Sequence, residues 1–378
     1  MRIVDLFSGA GGLTFGFYYN LIHNEFIVNE ECDIIFANEY DKAAAEAFSV
    51  NFPDINMIND DIRNLGEDYI RELIGKEEVD LIIGGPPCQS YSTIGKRIYD
   101  DKAKLYNEYY RMLSIIKPRM FLFENVKGML SMRDENGKYI IDDIKEKFAN
   151  MVDGLGYKIY HKVLNAVDYG VPQQRERVFI IGVRNDLDIM WNFPVPLEIE
   201  RITLKEAVSD LPVVASGEEA EGYGVLNPQN EYQLLMRGNN EILTCHFVSE
   251  YGEKIQTIIN NVIEGEGRNY INKLVDEGVL GENYRLTSGY NNTYGRLYAD
   301  QPCTTITNNM STPSGLRCIH YEQNRALTPR EGARIQSFPD WFQFIGKKRE
   351  IMTQVGNAVP PLLACRLAEQ IKRVLREE

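Results

Sequence analysis

Short apolar runs recur through the first half of the chain and are its most regular feature. They are rich in Ile, Val, Leu and Phe and too short for helices: Arg2–Phe7, Ile34–Asn38, Asp80–Gly84, Met120–Glu124 and Arg177–Val183. Near-continuous apolar runs of this length are typical of strands buried on both faces of a parallel sheet. The pattern therefore predicts the central strands of such a sheet.

Helical patterns separate these runs. They cover Lys42–Asn51, Tyr106–Ile116 and Asp142–Gly154. After Pro360 and Pro361, an amphipathic run predicts a C-terminal helix whose apolar stripe is formed by Leu363, Leu367, Ile371 and Val374. Alternation of buried strands with helices predicts an α/β, doubly wound domain.

The texture changes at Asn192–Pro196, where two prolines lie close together and suggest a boundary. From Leu197 to Asn324 the chain is rich in Gly, Asn, Tyr and Glu, and only Glu250–Ile263 is clearly helical in pattern. Tyr290–Thr307 reads as turns and short strands. We expect a second, smaller domain here that is mostly irregular or β.

Composition excludes few classes of function. The 378 residues carry a net charge of −14, which by itself argues against phosphate binding. Residues 285–378, however, contain 13 Lys and Arg against 8 Asp and Glu, so this segment is +5 and the remainder −19. A basic C-terminal segment on an acidic body can present a positive cleft.

The apolar runs and cysteines place the chain in a compartment. No run approaches the roughly 18 residues of a membrane span, and no secretory signal is visible. The six cysteines are scattered without a C-x-x-C pair, which favours a reducing cytoplasm over a disulfide scaffold or a metal site.

A glycine-rich turn follows the first strand in DLFSGAGGL, with Gly9, Gly11 and Gly12. Glycines allow a tight turn and close approach of backbone to a ligand. Glu39 ends the next strand, where a carboxylate can accept hydrogen bonds from ribose hydroxyls, and Asp61 ends a third unit. Each acid alone is more often an ordinary surface residue, but the combination favours a nucleoside cofactor.

Cys88 follows a strand in GGPPCQSYS, at the edge of the sheet where ligands bind in open α/β folds. Pro86 and Pro87 stiffen the backbone before the thiol. A lone cysteine is usually a small buried apolar residue, but Cys88 is followed by a polar loop. Rigid placement of one thiol in a polar cleft is what a nucleophile needs.

Two further segments carry candidate chemistry. Glu124 ends an apolar strand beside the expected cleft, where a raised pKa would allow proton donation; a structural, hydrogen-bonded role is the plainer alternative. Arg175 and Arg177 alternate with Glu176, so an extended backbone would place both arginines on one side, facing anionic or carbonyl oxygens. A solvated charge cluster is the alternative there.

Taken together and in order, these segments resemble the cytosine-C5 DNA methyltransferase family of bacterial restriction–modification systems. The resemblance rests on DLFSGAGGL, NEYD, DDI, GGPPCQSYS, ENVKG, QQRERV, RALTPREGARIQSFPDWF and QVGNAVPP, and leaves out only Leu197–Arg285. It implies S-adenosyl-L-methionine as cofactor and cytosine in double-stranded DNA as substrate. It also implies monomeric action and a separate cognate restriction endonuclease.

The resemblance assigns roles residue by residue. Cys88 would add to C6 of cytosine, Glu124 would hold or protonate N3, and Arg177 with Arg175 would steady the O2 side of the base. The covalent step has a physical reason, because C5 of cytosine is not nucleophilic until something adds at C6. The residues implied for the cofactor pocket are Phe7, Gly9, Gly11, Leu13, Glu39, Asp61, Pro86, Asn357 and Val359.

The chain's two ends then meet, which predicts a catalytic domain of residues 1–193 plus 350–378 and a target-recognition domain of 194–349. Duplex DNA requires the target base to be flipped out. The candidate DNA-contacting residues are Gln89, Ser90, Ser92, Arg296, Thr305 and Arg317; plain solvation is the alternative for each of those in the second domain. Thr14–Asp33 is longer than the family pattern, and we interpret it as a surface loop.

Two rival hypotheses remain open. The RNA-methylating branch of the family shares the Cys and Glu chemistry but usually carries a Cys-Phe-Thr motif, whereas Cys245 here lies in Thr-Cys-His-Phe. A catalytically silent binding protein with the same fold is the second rival, although every expected reactive residue is present. A plain dehydrogenase explains neither Cys88 nor Glu124.

Overall fold

The computed structural model describes residues 1–87, 105–151 and 154–376 of the chain. Its central feature is a seven-stranded sheet in the order β5-β4-β1-β6-β7-β9-β8. The strands are β1 (Arg2–Leu6), β4 (Asp33–Asn38), β5 (Met57–Ile58), β6 (Leu81–Gly84), β7 (Met120–Val126), β8 (Tyr157–Asn165) and β9 (Glu176–Arg184). The order reverses between β1 and β6, so the turns after these two strands flank the switch point where ligands bind in such sheets.

The sheet is mixed, whereas the apolar runs indicated a parallel one. β5, β4, β1, β6 and β7 are parallel, but β9 pairs antiparallel with β7 and β8 antiparallel with β9. β8 was not predicted because it is an edge strand whose Lys158, His161 and Lys162 are exposed, so its apolar run is broken. Because β9 runs antiparallel to β7, its first residues lie at the same edge of the sheet as the carboxyl ends of β1, β4, β6 and β7.

Helices cover both faces of the sheet, which gives the α/β architecture expected from the alternating pattern. They are α1 (Gly12–Tyr18), α2 (Lys42–Asn51), α3 (Glu67–Ile74), α4 (Tyr106–Ile116), α5 (Ile140–Ala149) and α12 (Pro361–Arg376). α2 and α4 have the bounds that the sequence predicted. α5 ends five residues early, at Ala149, with Asn150 as its C-cap.

α12 packs against α1, so the two ends of the chain lie together. The predicted stripe of Leu363, Leu367, Ile371 and Val374 is buried. The approach is close because α1 presents glycines: a Cβ on Gly16 would lie 2.2 Å from the carbonyl carbon of Ala364, and one on Gly12 would lie 2.4 Å from the carbonyl oxygen of Val359. Residues near Gly12 and Val359 therefore line one region.

Thr14–Asp33 is an ordered packing unit, so its interpretation as a surface loop was wrong. It contains most of α1 and a hairpin of β2 (Tyr19–Ile22) and β3 (Glu25–Val28). His23 and Asn24 form the two-residue turn with positive φ, which suits the twist of a hairpin. The ring of Phe15 in α1 packs on Tyr19 and Phe26 of the hairpin, and apolar burial at this contact explains the order.

The second half of the chain is more helical than its weak periodicity suggested. It holds α6 (Leu204–Val208), α7 (Glu231–Arg237), α8 (Glu253–Asn261), α9 (Arg268–Asp276), α10 (Pro329–Ile335) and α11 (Lys348–Asn357). β pairing in its described residues is limited to isolated bridges, such as Arg296 with Ile319. All six of these helices have ten residues or fewer, so their helical period is hard to detect in a sequence window.

Two apolar cores are relevant to domain organisation. One runs from Ile3 to Val374 and includes residues on both sides of the predicted boundaries at 194 and 349. A separate small core is confined to residues 258–326, where Ile258, Ile259, Ile271 and Ile319 pack together. An independent packing unit is therefore smaller than the segment 194–349.

The described residues hold no group of three or more His, Cys, Asp and Glu arranged for a metal ion. Their cysteines, Cys32, Cys245, Cys303, Cys318 and Cys365, are free thiols. Within the same ranges, every helix is too short or too polar to traverse a lipid bilayer.

Candidate active site

The turn after β1 has the backbone that only a glycine-rich sequence tolerates. Gly9 and Gly11 have φ of 57° and 96°, and Phe7 also takes a positive φ of 58°. A Cβ on Gly11 would lie 2.3 Å from the ring of Phe52, so glycine is required there for space as well as conformation. Leu13 is buried in the next turn of α1.

Glu39 lies directly after β4 and is fastened to this turn. Its carboxylate accepts the N–H of Gly9 at 2.9 Å and the N–H of Asp41 at 2.7 Å. Burial raises the pKa of Glu39, and these two backbone hydrogen bonds oppose the rise. The predicted glycine turn and the predicted acid thus form one unit at the carboxyl edge of the sheet.

Asn38 and Asp5 belong to the same unit, although the sequence analysis did not single them out. The Asn38 amide donates to the carbonyls of Ile58 and Asp60, which fixes the loop that carries Asp61. Asp5 is fully buried beneath the turn and accepts from the Thr14 hydroxyl, and its Oδ1 has no hydrogen-bond partner. Burial raises the pKa of Asp5 to about 8. A polar residue inside an apolar strand was the available signal.

The remaining predicted cofactor residues differ in their exposure to solvent and in their partners. The Asp61 carboxylate pairs with Arg63, which lowers the pKa of Asp61. Asn357 is exposed at the end of α11, and Val359 is buried against Gly12. Pro86 is buried after β6.

Glu124 and Arg177 form an ion pair at the same edge. Arg177 Nε lies 3.2 Å from Glu124 Oε1, and the two side chains are 14% and 13% exposed, so both remain in contact with solvent yet are largely desolvated. Burial raises the pKa of Glu124, while Arg177 and, more weakly, Arg175 lower it. A Cβ on Gly85 would lie 2.8 Å from Glu124 Oε2, so this glycine leaves room for the carboxylate.

Asn125 connects this strand end to the segment that leads to Cys88. Its side chain is 1% exposed, donates to the Pro86 carbonyl at 3.0 Å and accepts from the Val126 N–H. Sequence analysis did not single it out. Cys88, Gln89, Ser90 and Ser92 lie outside the described residues.

Arg175 does not share a surface with Arg177, which corrects the expectation that both face the base. Arg175 is 1% exposed, and its guanidinium donates to the carbonyls of Ile306, Gly356 and Ala358, each at 2.9 Å. It precedes β9, so strand alternation does not govern its direction. Contact with a substrate would require breaking these bonds.

Arg296 is likewise internal, so its predicted contact with DNA is wrong. Arg296 is only 6% exposed. Its guanidinium donates to the side-chain oxygen of Asn324 and to four backbone carbonyls, those of Val262, Ile259, His320 and Gln323. Thr305 is exposed and donates to the carbonyl of Gln174. Arg317 is partly exposed, with its guanidinium 5.6 Å from the ring centre of Tyr298.

The RALTPREGARIQSFPD segment places further arginines in the interior. Arg325 pairs with Glu331 at 2.6 Å, and Arg334 pairs with Asp210 at 2.8 Å and Asp340 at 2.6 Å. Arg330 is fully buried and donates to Thr244. Four of the 13 basic residues counted in residues 285–378 are therefore internal and organise the fold: Arg296, Arg325, Arg330 and Arg334.

The family model described as C-5 cytosine-specific DNA methylase matches residues 1–373. The chain belongs to this family. It is a cytosine-C5 DNA methyltransferase.

Similar proteins include the Type II methyltransferase M.DdeI of Desulfomicrobium norvegicum, 35% identical over 98% of the chain and 88% of the relative. The Type II methyltransferase M1.HphI of Haemophilus parahaemolyticus is 34% identical over 100% of the chain and 88% of the relative. Among solved structures, a DNA modification methyltransferase encoded within an E. coli prophage aligns with a TM-score of 0.75 at 26% identity, covering 100% of this chain and 99% of that one.

Proposed function

We propose that this methyltransferase modifies C5 of a flipped-out cytosine in a short, specific duplex site, as the modification enzyme of a restriction–modification system. The observation that carries the proposal is the Glu124–Arg177 pair, which lies at the same edge of the sheet as the glycine turn bonded to Glu39. The curated relatives are named as Type II methyltransferases, which supports the biological setting.

S-adenosyl-L-methionine fits the residues around the glycine turn. Gly9 has no atom within 4 Å of the position that a Cβ would take, and Glu39 retains acceptor capacity beyond its two backbone bonds. Phe7, Gly9, Leu13, Pro86, Asn357 and Val359 would complete the lining of the cofactor site. When bound, the cofactor supplies the methyl group.

The chain's own residues then activate the base. The Cys88 thiolate adds to C6, forming an S–C6 bond, and the Glu124 carboxyl gives its proton to N3. Arg177 orients the Glu124 carboxylate and donates to the O2 side of the base. After C5 takes the methyl group, a base removes the C5 proton and the S–C6 bond breaks, which restores the ring and the Cys88 thiolate. N3 then returns its proton to the Glu124 carboxylate.

The raised pKa of Glu124 suits this role, because a larger fraction of the carboxyl keeps its proton near neutral pH. Asn125 restrains Pro86, two residues before the nucleophile. Residues 194–349 would supply target recognition. Thr305 and Arg317 remain candidate contacts there, and Gln89, Ser90 and Ser92 would lie beside the base.

The test is transfer of labelled methyl from S-adenosylmethionine to plasmid DNA, followed by bisulfite sequencing. Protected cytosines in one short repeated context are expected, with activity lost in Cys88→Ala. Lys145→Gln, a change on a helix away from the site, is the matched control. Incorporation into tRNA without incorporation into DNA would overturn the proposal and favour the RNA-methylating branch.

A further inference from the structure

The guanidinium of Arg175 is hydrogen-bonded to two segments that lie far from it in the sequence. Arg175 Nη1 donates to the carbonyl of Ile306, and Nη2 donates to the carbonyls of Gly356 and Ala358. Ile306 lies in the segment 303–308, which also contains Thr305, whereas Gly356 and Ala358 lie in the segment that leads to Val359. Arg175 itself stands two residues before Arg177, the partner of Glu124.

Neighbouring hydrogen bonds tie the same segments together. The Gln173 side chain accepts the N–H of Ile306 and donates to Gln336, whose amide donates to the carbonyl of Val355. The backbones of residues 172–174 and 303 exchange two hydrogen bonds of 2.9 and 2.8 Å. The contact is close as well: a Cβ on Gly356 would lie 2.4 Å from the amide nitrogen of Asn308.

We propose that Arg175 is a positioning residue that couples the cofactor-lining segment 355–359 to the recognition segment 303–308, so that occupancy of one strengthens binding at the other. This rests on the proposed function, which assigns cofactor and DNA to these two segments. Coupling requires an element that both ligands bias, and here a single buried group is bonded to both.

The chemistry of arginine explains why this group is suited to the task. Its planar fork presents donors in two directions at once, so it can bond Ile306 on one side and Gly356 and Ala358 on the other. A lysine keeps the charge but carries all its donors on one nitrogen. Arg175→Lys should therefore release one of the two segments while preserving the electrostatic effect on Glu124.

Hydrogen exchange on the wild-type protein gives the first test and needs no DNA. Addition of S-adenosylhomocysteine, which binds without reacting, should slow amide exchange in peptides covering 303–308 as well as 355–359. Protection confined to 355–359 would overturn the proposal. This measurement stands even if substitutions at Arg175 do not fold.

Variants then assign the effect to Arg175. In Arg175→Lys, protection should persist at 355–359 and disappear at 303–308. The control is Arg330→Lys, since Arg330 is equally buried and bonded to carbonyls but contacts Thr244, Pro339 and Phe342 instead. Equal protection at 303–308 in Arg175→Lys and the wild type would refute the assignment.

Binding equilibria give the same quantity in numbers. The affinity for S-adenosylhomocysteine should rise about 5-fold or more when a duplex with the mapped target site is present, within the usual range of coupling. The ratio should fall towards 1 in Arg175→Lys and stay unchanged in Arg330→Lys. A wild type that methylates DNA while the ratio survives in Arg175→Lys contradicts this inference alone; a wild type that does not methylate DNA contradicts the proposed function.

Discussion

At the scale of single residues, the Glu124–Arg177 pair combines two opposing effects. Desolvation favours the neutral carboxyl, and the guanidinium favours the carboxylate. Because the net shift in the pKa of Glu124 is upward, a larger fraction of this carboxyl keeps its proton at a given pH than in an exposed glutamate. Its activity should therefore depend on pH in a defined direction.

We expect kcat/KM to fall as pH rises through the raised pKa of Glu124, because the proton donor is lost. Glu124→Gln should lower kcat by about 10²-fold or more and remove this alkaline limb. Arg177→Gln should move the limb to higher pH, since the guanidinium lowers the pKa of Glu124. Initial rates across pH 5–9 measure this; an unchanged limb in Glu124→Gln would assign it to another group.

Asn125 provides a second prediction for a single side chain. Asn125→Asp keeps the acceptor for the Val126 N–H but removes the donor to the Pro86 carbonyl. We expect kcat to fall about 10²-fold, because the segment before Cys88, the proposed nucleophile, loses its restraint. Single-turnover rates would measure this.

The matched control for Asn125→Asp is Asn51→Asp at the end of α2. Asn51 is also buried, and its amide donates to the backbone carbonyls of Ala47 and Gln343. It should lower the melting temperature while leaving kcat nearly unchanged. Equal loss of kcat in both variants would mean that the effect of Asn125 is general destabilisation.

At the scale of elements, the sequence predicted helices and strands with a regular apolar pattern and missed the elements in which that pattern is broken. α2 and α4 matched because their apolar positions recur at helical spacing, and β1, β4, β6 and β7 because they are buried on both faces. β8 was missed because an edge strand is half polar. The roles of Arg175 and Arg296 could not be read, since an arginine bonded to carbonyls far along the chain looks like any surface arginine in sequence.

The contact between α1 and α12 gives an element-scale prediction. Gly16→Ala would place a methyl group 2.2 Å from backbone atoms of Ala364, which cannot rotate away. We expect the free energy of unfolding to fall by an amount near the upper end of the usual overpacking cost of about 1–3 kcal/mol. Urea unfolding would measure this change. The helices would have to separate to relieve the clash.

Gly66→Ala is the control for this contact, because Gly66 has open space around it and φ of −70°. As the N-cap of α3 it should lose less than about 1 kcal/mol. If Gly16→Ala proved as mild as Gly66→Ala, the close packing of α1 on α12 would not be a source of stability.

At the scale of the whole molecule, the charge balance includes a buried ionic cluster formed by Arg325, Glu331 and His320. His320 lies within it and is 2% exposed. Its Nδ1 accepts the N–H groups of Glu322 and Gln323, and its Nε2 lies 3.6 Å from Glu331. Protonation at Nδ1 would break two hydrogen bonds, and burial lowers the pKa of His320 to about 4.

This cluster makes the stability of the molecule sensitive to acid. Between pH 6.5 and about 4, the unfolded chain protonates His320 while the folded protein does not, so the free energy of unfolding falls as pH drops through that window. The loss attributable to His320 is about 3 kcal/mol at the lower end. Asp5, with its pKa raised to about 8, acts in the opposite sense: its contribution is full below pH 3.8 and is lost as pH rises towards 8.

The two effects separate in single variants. His320→Asn keeps an acceptor for the two N–H groups but cannot protonate, so the decline in stability between pH 6.5 and 4 should be shallower than in the wild type. Asp5→Asn should instead flatten the decline between pH 4 and 8. Urea unfolding at half-unit pH intervals would resolve both slopes, and a His320→Asn curve parallel to that of the wild type would mean that His320 is protonated in the folded state and that the acid sensitivity arises elsewhere.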